Sequence, residues 1–125
     1  MDKKSSVSVL DLLLRPELPD KRVEVKRLSR LAGEPVVFRL KALTYDQTRR
    51  VQDKPRGEQA VEMVLLGCTE PNWRAPGLLD PAKNIATPID AIKAKLTAGE
   101  IDELAVEIQM LGGYIVRALE DVKNA

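Results

Sequence analysis

The chain has 125 residues, 20 Lys/Arg against 19 Asp/Glu, no histidine and one cysteine. That length suits one domain, the single cysteine excludes an internal disulfide, and the missing histidine removes the commonest general base and metal ligand. Apolar residues at 44% and charged residues at 31% describe an ordinary globular chain, and aromatics at 3% leave the core to Leu, Val, Ile and Ala, which favours packed helices.

Residues 1–6 read as a frayed tail and residues 7–125 as one domain. No signal-peptide h-region or cleavage site follows Met1, and no run approaches the ~20 apolar residues of a membrane span, so a cytoplasmic protein without membrane contact is expected. Ser8, with Asp11 three residues on, caps a short helix carrying Leu10, Leu12, Leu13 and Leu14. Pro16 and Pro19 make residues 15–20 an extended connector. Residues 21–27 alternate strictly, with Val23 and Val25 on one face, the pattern of a half-buried strand. Residues 28–32 form a helical turn closed by Gly33, and residues 35–43 a second strand with Val36, Phe38 and Leu40 on one side. A strand pair alone is marginal, so helices must cover its apolar face.

Three helix starts follow from Thr placed three residues before an acid or amide: Thr44 with Gln47, Thr87 with Asp90, and Thr97 with Glu100. Pro88 strengthens the second, since its missing donor would have been unpaired anyway. Another helix runs from about Glu58 to Cys68, then a loop broken by Pro71, Pro76, Gly77 and Pro81. In the last helix Ile101, Leu104, Ile108, Leu111, Ile115, Ala118 and Val122 fall at spacings of three and four, a continuous apolar stripe. At Gly112-Gly113 either the helix breaks or a neighbouring backbone approaches closely. The fold class is α+β: a small hairpin-like strand pair near the N-terminus, then three to five helices.

No catalytic constellation emerges, and neither a cofactor nor a metal site is expected. Without histidine there is no Ser-His or Cys-His pair, one cysteine cannot build a zinc site, and Cys68 in its apolar run reads as a buried thiol. Acid pairs such as Asp102-Glu103 lie on a charged helix face. Basic residues cluster at Lys21, Arg22, Lys26, Arg27 and Arg30, but interspersed acids and the absence of stacking aromatics argue against nucleic acid. Residues 1–60 carry 14 Lys/Arg and 9 Asp/Glu, whereas residues 61–125 carry 6 and 10. That asymmetry suits head-to-tail self-association or a partner of mixed charge, or is simply solvated surface. Apolar stripes left uncovered in the monomer would take a partner helix, or another copy in a homo-oligomer. On the hydrophobic pattern alone, Val61, Val64, Leu65, Ile108, Leu111 and Ile115 are candidate partner contacts, and each also fits the core. Trp73 is either folded back or exposed as an anchor.

Val23-Glu24-Val25-Lys26-Arg27-Leu28-Ser29, Gly33-Glu34-Pro35-Val36-Val37-Phe38 and Lys41-Ala42-Leu43-Thr44-Tyr45-Asp46 follow one another in an order that resembles the XkdN-like phage tail assembly chaperone family of contractile-tailed phages and prophages. Ala86-Thr87-Pro88 and Gly99-Glu100-Ile101 extend the resemblance over about residues 8–123. It implies a protein made in the infected cell and absent from the finished virion. The implied client is the tape measure protein, kept soluble until tail tube protein polymerises around it, and many members have a frameshift-extended form. A structural or adaptor subunit of the tail is the alternative, and a nucleic-acid-binding regulator a third.

Overall fold

The computed structural model describes residues 8–15 and 17–113. The 1–6 tail and the stripe positions Ile115, Ala118 and Val122 lie outside the described residues. The chain order is α1 (Val9–Leu13), β1 (Asp20–Glu24), α2 (Lys26–Ala32), β2 (Val37–Lys41), α3 (Tyr45–Gln52), α4 (Gln59–Gly67), β3 (Cys68–Glu70), α5 (Pro88–Lys95) and α6 (Ala98–Leu111). The α+β expectation holds, with four helices following the strand pair among the described residues.

β1 and β2 pair antiparallel, Val23 opposite Phe38 and Lys21 opposite Leu40. Period-2 alternation then puts Phe38 and Leu40 on the buried face and leaves Val37 and Arg39 outside. The first strand ends earlier than its alternation suggests. After Val25 donates its N–H to the Val36 carbonyl, the backbone enters α2, so Lys26 and Arg27 lie on the helix. Gly33 stops α2 in the left-handed region at φ 77°, where a side chain would be strained. The Ser29 hydroxyl then accepts the Val36 N–H at 2.8 Å and starts the return strand.

The sheet has a third strand the pattern did not disclose. β3 pairs antiparallel with β2, Leu40 opposite Cys68 and Arg39 opposite Glu70, and the register shifts between those two β2 residues. β2 is therefore central. Three residues carry no readable period, and the segment is a strand only because the end of α4 delivers it to the open edge of β2.

All three Thr boxes close as read, with Gln47, Asp90 and Glu100 each returning a side chain to the cap. α6 covers the inner face of the sheet and crosses α4. Its residues Ile101, Leu104, Ala105 and Ile108 join Phe38, Leu40, Val61, Val64 and Ile92 in one core. α6 ends at Leu111 with Gly112 as its cap, so the glycine pair terminates this helix. The closest approach of the two helices is elsewhere. A Cβ on Gly67 would lie 2.7 Å from Ile108 Cδ1, so α4 can meet α6 there only because position 67 lacks a side chain.

Candidate functional site

Trp73 settles one open alternative. It is folded back at 4% exposure and meets Phe38 edge-on, with ring centroids 6.2 Å apart, so it is not an exposed anchor. The reason is its neighbourhood: β3 carries the loop alongside β2, whose Phe38 offers a ring face over an aliphatic core. The Trp73 N–H meets no hydrogen-bond acceptor among the described residues, so packing holds the ring.

The other pattern-derived candidates divide by depth. Val61, Val64 and Ile108 are interior, because the stripes of α4 and α6 face each other and the sheet. In this conformation they offer no free surface, although Ile108 forms part of a groove wall. Leu65 and Leu111 are half-buried at the edge of the core. Ile115 lies outside the described residues.

Among the concave surfaces, two bear on function. One groove of about 390 Å³ lies between α3, α4 and the last turn of α6, with Leu43, Val51, Met63 and Ile108 among its lining residues. Its polar rim includes Thr48, Gln52, Gln59 and Gln109, and Tyr45 stands exposed there with the Arg49 guanidinium 5.6 Å from its ring centre. Aliphatic walls with an uncharged polar rim suit an apolar helix face. Its residues come from three separate segments, which is why single-helix periodicity did not assemble it.

The second cleft, of about 780 Å³, lies between α6 and the β1–α2 segment and is dominated by charge, including Arg27, Arg30, Glu100 and Glu103. Its central feature is structural. Arg27 holds Glu100 bidentately, Nε to Oε2 and Nη2 to Oε1 at 2.9 Å each, and also donates to the Lys95 carbonyl at 3.0 Å. The same Glu100 closes the Thr97 box, accepting the Thr97 N–H at 2.9 Å. Hydrogen bonding from Arg27 pulls the Glu100 carboxyl down to about 2, burial opposing it and the Thr97 backbone adding to it. Lys21 reaches Glu107 on α6 at 2.6 Å. The basic N-terminal half thus finds acids of the C-terminal half within the same chain, which accounts for part of the charge asymmetry.

Glu62 is buried at 5% exposure on α4, with Arg50 Nη2 at 3.5 Å and Lys54 Nζ at 4.0 Å from its oxygens. These contacts tie α3 and the residues after it to α4 beside the apolar groove. Burial pushes the Cys68 thiol up to about 11, and the thiol donates to the Glu70 carbonyl at 3.2 Å. Such a thiol is a weak nucleophile. Among the described residues no His/Cys/Asp/Glu group gathers that could hold a metal ion, and no helix is long and apolar enough to cross a membrane.

Residues 10–125 match the family model described as the phage XkdN-like tail assembly chaperone protein. No curated protein and no solved structure matches the chain.

Proposed function

The chain belongs to the phage XkdN-like tail assembly chaperone family, and we propose that its client is the tape measure protein, held soluble through apolar helical contacts while the tail is built. The family match carries the tail-assembly role. The apolar groove between α3, α4 and α6 supports the client class, because an unassembled tape measure exposes long apolar helix faces that would otherwise aggregate. The protein acts by binding alone, without a catalytic step, in the cytoplasm of the infected cell, and leaves before the virion is complete. A frameshift-extended form of the same chain and the tail tube protein are the further partners of this role.

A holdase has to release its client, and this groove suits reversible capture. Its rim is polar, and among the described residues its lining includes no Lys, Arg, Asp or Glu. The affinity it can offer comes mainly from apolar area, at about 25 cal/mol per Å² removed from water, less the cost of ordering both partners. Release then needs only a competing apolar surface, such as that of polymerising tube subunits.

Co-expression with the tape measure protein from the same gene cluster tests the reading. A soluble tape measure that co-purifies with this chain is expected, and Thr48→Arg, which places a long charged side chain at the half-buried rim of the groove, should release it while leaving the fold intact. A tape measure that stays insoluble and unbound beside a folded chain, with the extended form failing as well, would sink the client assignment. A tape measure that remains bound to the Thr48→Arg variant would place the contact outside the groove.

A further inference from the structure

The first helix stands apart from the core: none of its residues belongs to the core cluster or to the hydrophobics packed against it. α1 buries no residue, and Val9, Leu13 and Leu14 are each 70% exposed or more. A helix of five residues is far below the ~12–15 needed for stability in water, and an aliphatic surface broken only by Asp11 gains free energy from any apolar cover. Ser8 does accept the Asp11 N–H at 3.4 Å, but one cap bond does not offset that nucleation penalty.

We propose that α1 is a tethered lid that closes over the α3–α4–α6 groove of its own chain, so that a client helix must displace it. The competition with a client rests on the groove reading above, whereas the closure does not. Two contacts root the tether at the mouth of the groove. The Pro19 carbonyl accepts the Ala42 N–H at 2.8 Å, next to the groove residue Leu43. Lys21 is bonded to Glu107, within five residues of the groove residues Gln109 and Gly112.

Direction matters as much as position. Arg27 sits on Glu100 and Lys21 on Glu107, so the chain preceding Lys21 runs toward the end of α6 that lines the groove. Residues 15–19 span at most about 17 Å when extended, and α6 rises only about 7.5 Å from Glu107 to Gly112, so α1 reaches the groove with chain to spare. Its surface is aliphatic apart from Asp11, which matches walls of Leu43, Val51 and Met63. A tether this short gives an effective concentration of about millimolar, well above that of a second copy at micromolar protein. The chain's own helix therefore outcompetes a neighbour's, and a client has to bring more apolar surface than one five-residue helix offers.

Paired cysteines test closure directly. Leu13→Cys with Gln109→Cys, in the full chain under a glutathione redox buffer, should form a disulfide within one molecule at a rate independent of protein concentration. That rate should exceed the rate for Leu13→Cys with Asp102→Cys, at the far end of α6, by at least tenfold. Disulfide-linked dimers that grow with concentration would overturn the proposal in favour of a second copy's groove, and equal rates for the two pairs would overturn it outright. Tape measure binding to the oxidised Leu13→Cys, Gln109→Cys protein then separates the two readings. Binding reduced at least tenfold supports the competition. Undiminished binding with the disulfide formed refutes the competition and the groove reading while leaving closure itself standing.

Discussion

Replacing Gly67 with alanine pits two opposing effects against each other at one atom. Alanine is preferred to glycine in a helix interior by about 1 kcal/mol, so an open site would gain stability. Gly67 is not open. The new Cβ would sit 2.7 Å from Ile108 Cδ1, 2.9 Å from Cγ2 and 3.0 Å from Cγ1, all inside the 3.5–4.0 Å optimum for carbon contacts. Three atoms of one side chain are involved, and Ile108 is almost wholly enclosed, so rotation of one bond does not relieve the clash. Overpacking of this kind costs about 1–3 kcal/mol. Position 67 is the last residue of α4, where the helix preference of alanine is only partly realised. The net expectation for Gly67→Ala is a loss of about 1–2 kcal/mol.

Ile108→Ala alone should lose about 2–5 kcal/mol by leaving a cavity. The double variant places the new methyl group in that cavity, so it should be more stable than the sum of the two losses predicts, by about 1–2 kcal/mol. Urea unfolding followed by the fluorescence of Trp73, the single tryptophan and a core residue, reads all three variants. Losses that add within about 0.5 kcal/mol, or a Gly67→Ala protein more stable than the parent, would refute the close crossing of α4 and α6.

Trp73→Ala should cost about 3–5 kcal/mol, measured by circular dichroism in urea because the fluorophore is lost; a cost under 1 kcal/mol would mean the indole is not core. The Glu100 carboxyl lies below its ordinary 4.5, at about 2, chiefly through Arg27, so its contribution is present above pH 4.5 and is lost as pH falls from 4.5 toward 2. The urea midpoint should fall across that window and fall less steeply in Glu100→Gln, whereas parallel pH profiles would remove the Arg27 clamp as the cause. Cys68, with its thiol pushed up to about 11, should resist an aromatic disulfide reagent at pH 8 in the native protein and react at once in urea; rapid native reaction would contradict its burial.

Sequence alone determined what depends on near neighbours. The three Thr boxes and the Ser8 cap bond donors within three residues, so hydroxyl and acceptor are visible in the string. The alternation around Val23 and the run from Val36 to Leu40 marked the sheet's buried face, because a strand's period is two wherever it lies. The stripe from Ile101 to Leu111 marked the inner face of α6 for the corresponding reason. The ordered segments from Val23 to Asp46 also carried the family, which the match over residues 10–125 shows.

Tertiary structure decided everything that depends on residues far apart in the chain. β3 is three residues long and exists because β2 has an open edge to receive it. The depth of Val61, Val64 and Ile108 follows from two stripes meeting at Gly67, and an amphipathic pattern does not say whether its apolar side meets its own domain or a partner. Trp73 is buried because the loop after β3 carries it beside Phe38, a juxtaposition across 35 positions of sequence. The Arg27–Glu100 clamp joins residues 73 positions apart. The groove draws its walls from α3, α4 and α6, and only the packed molecule brings those three segments to one surface.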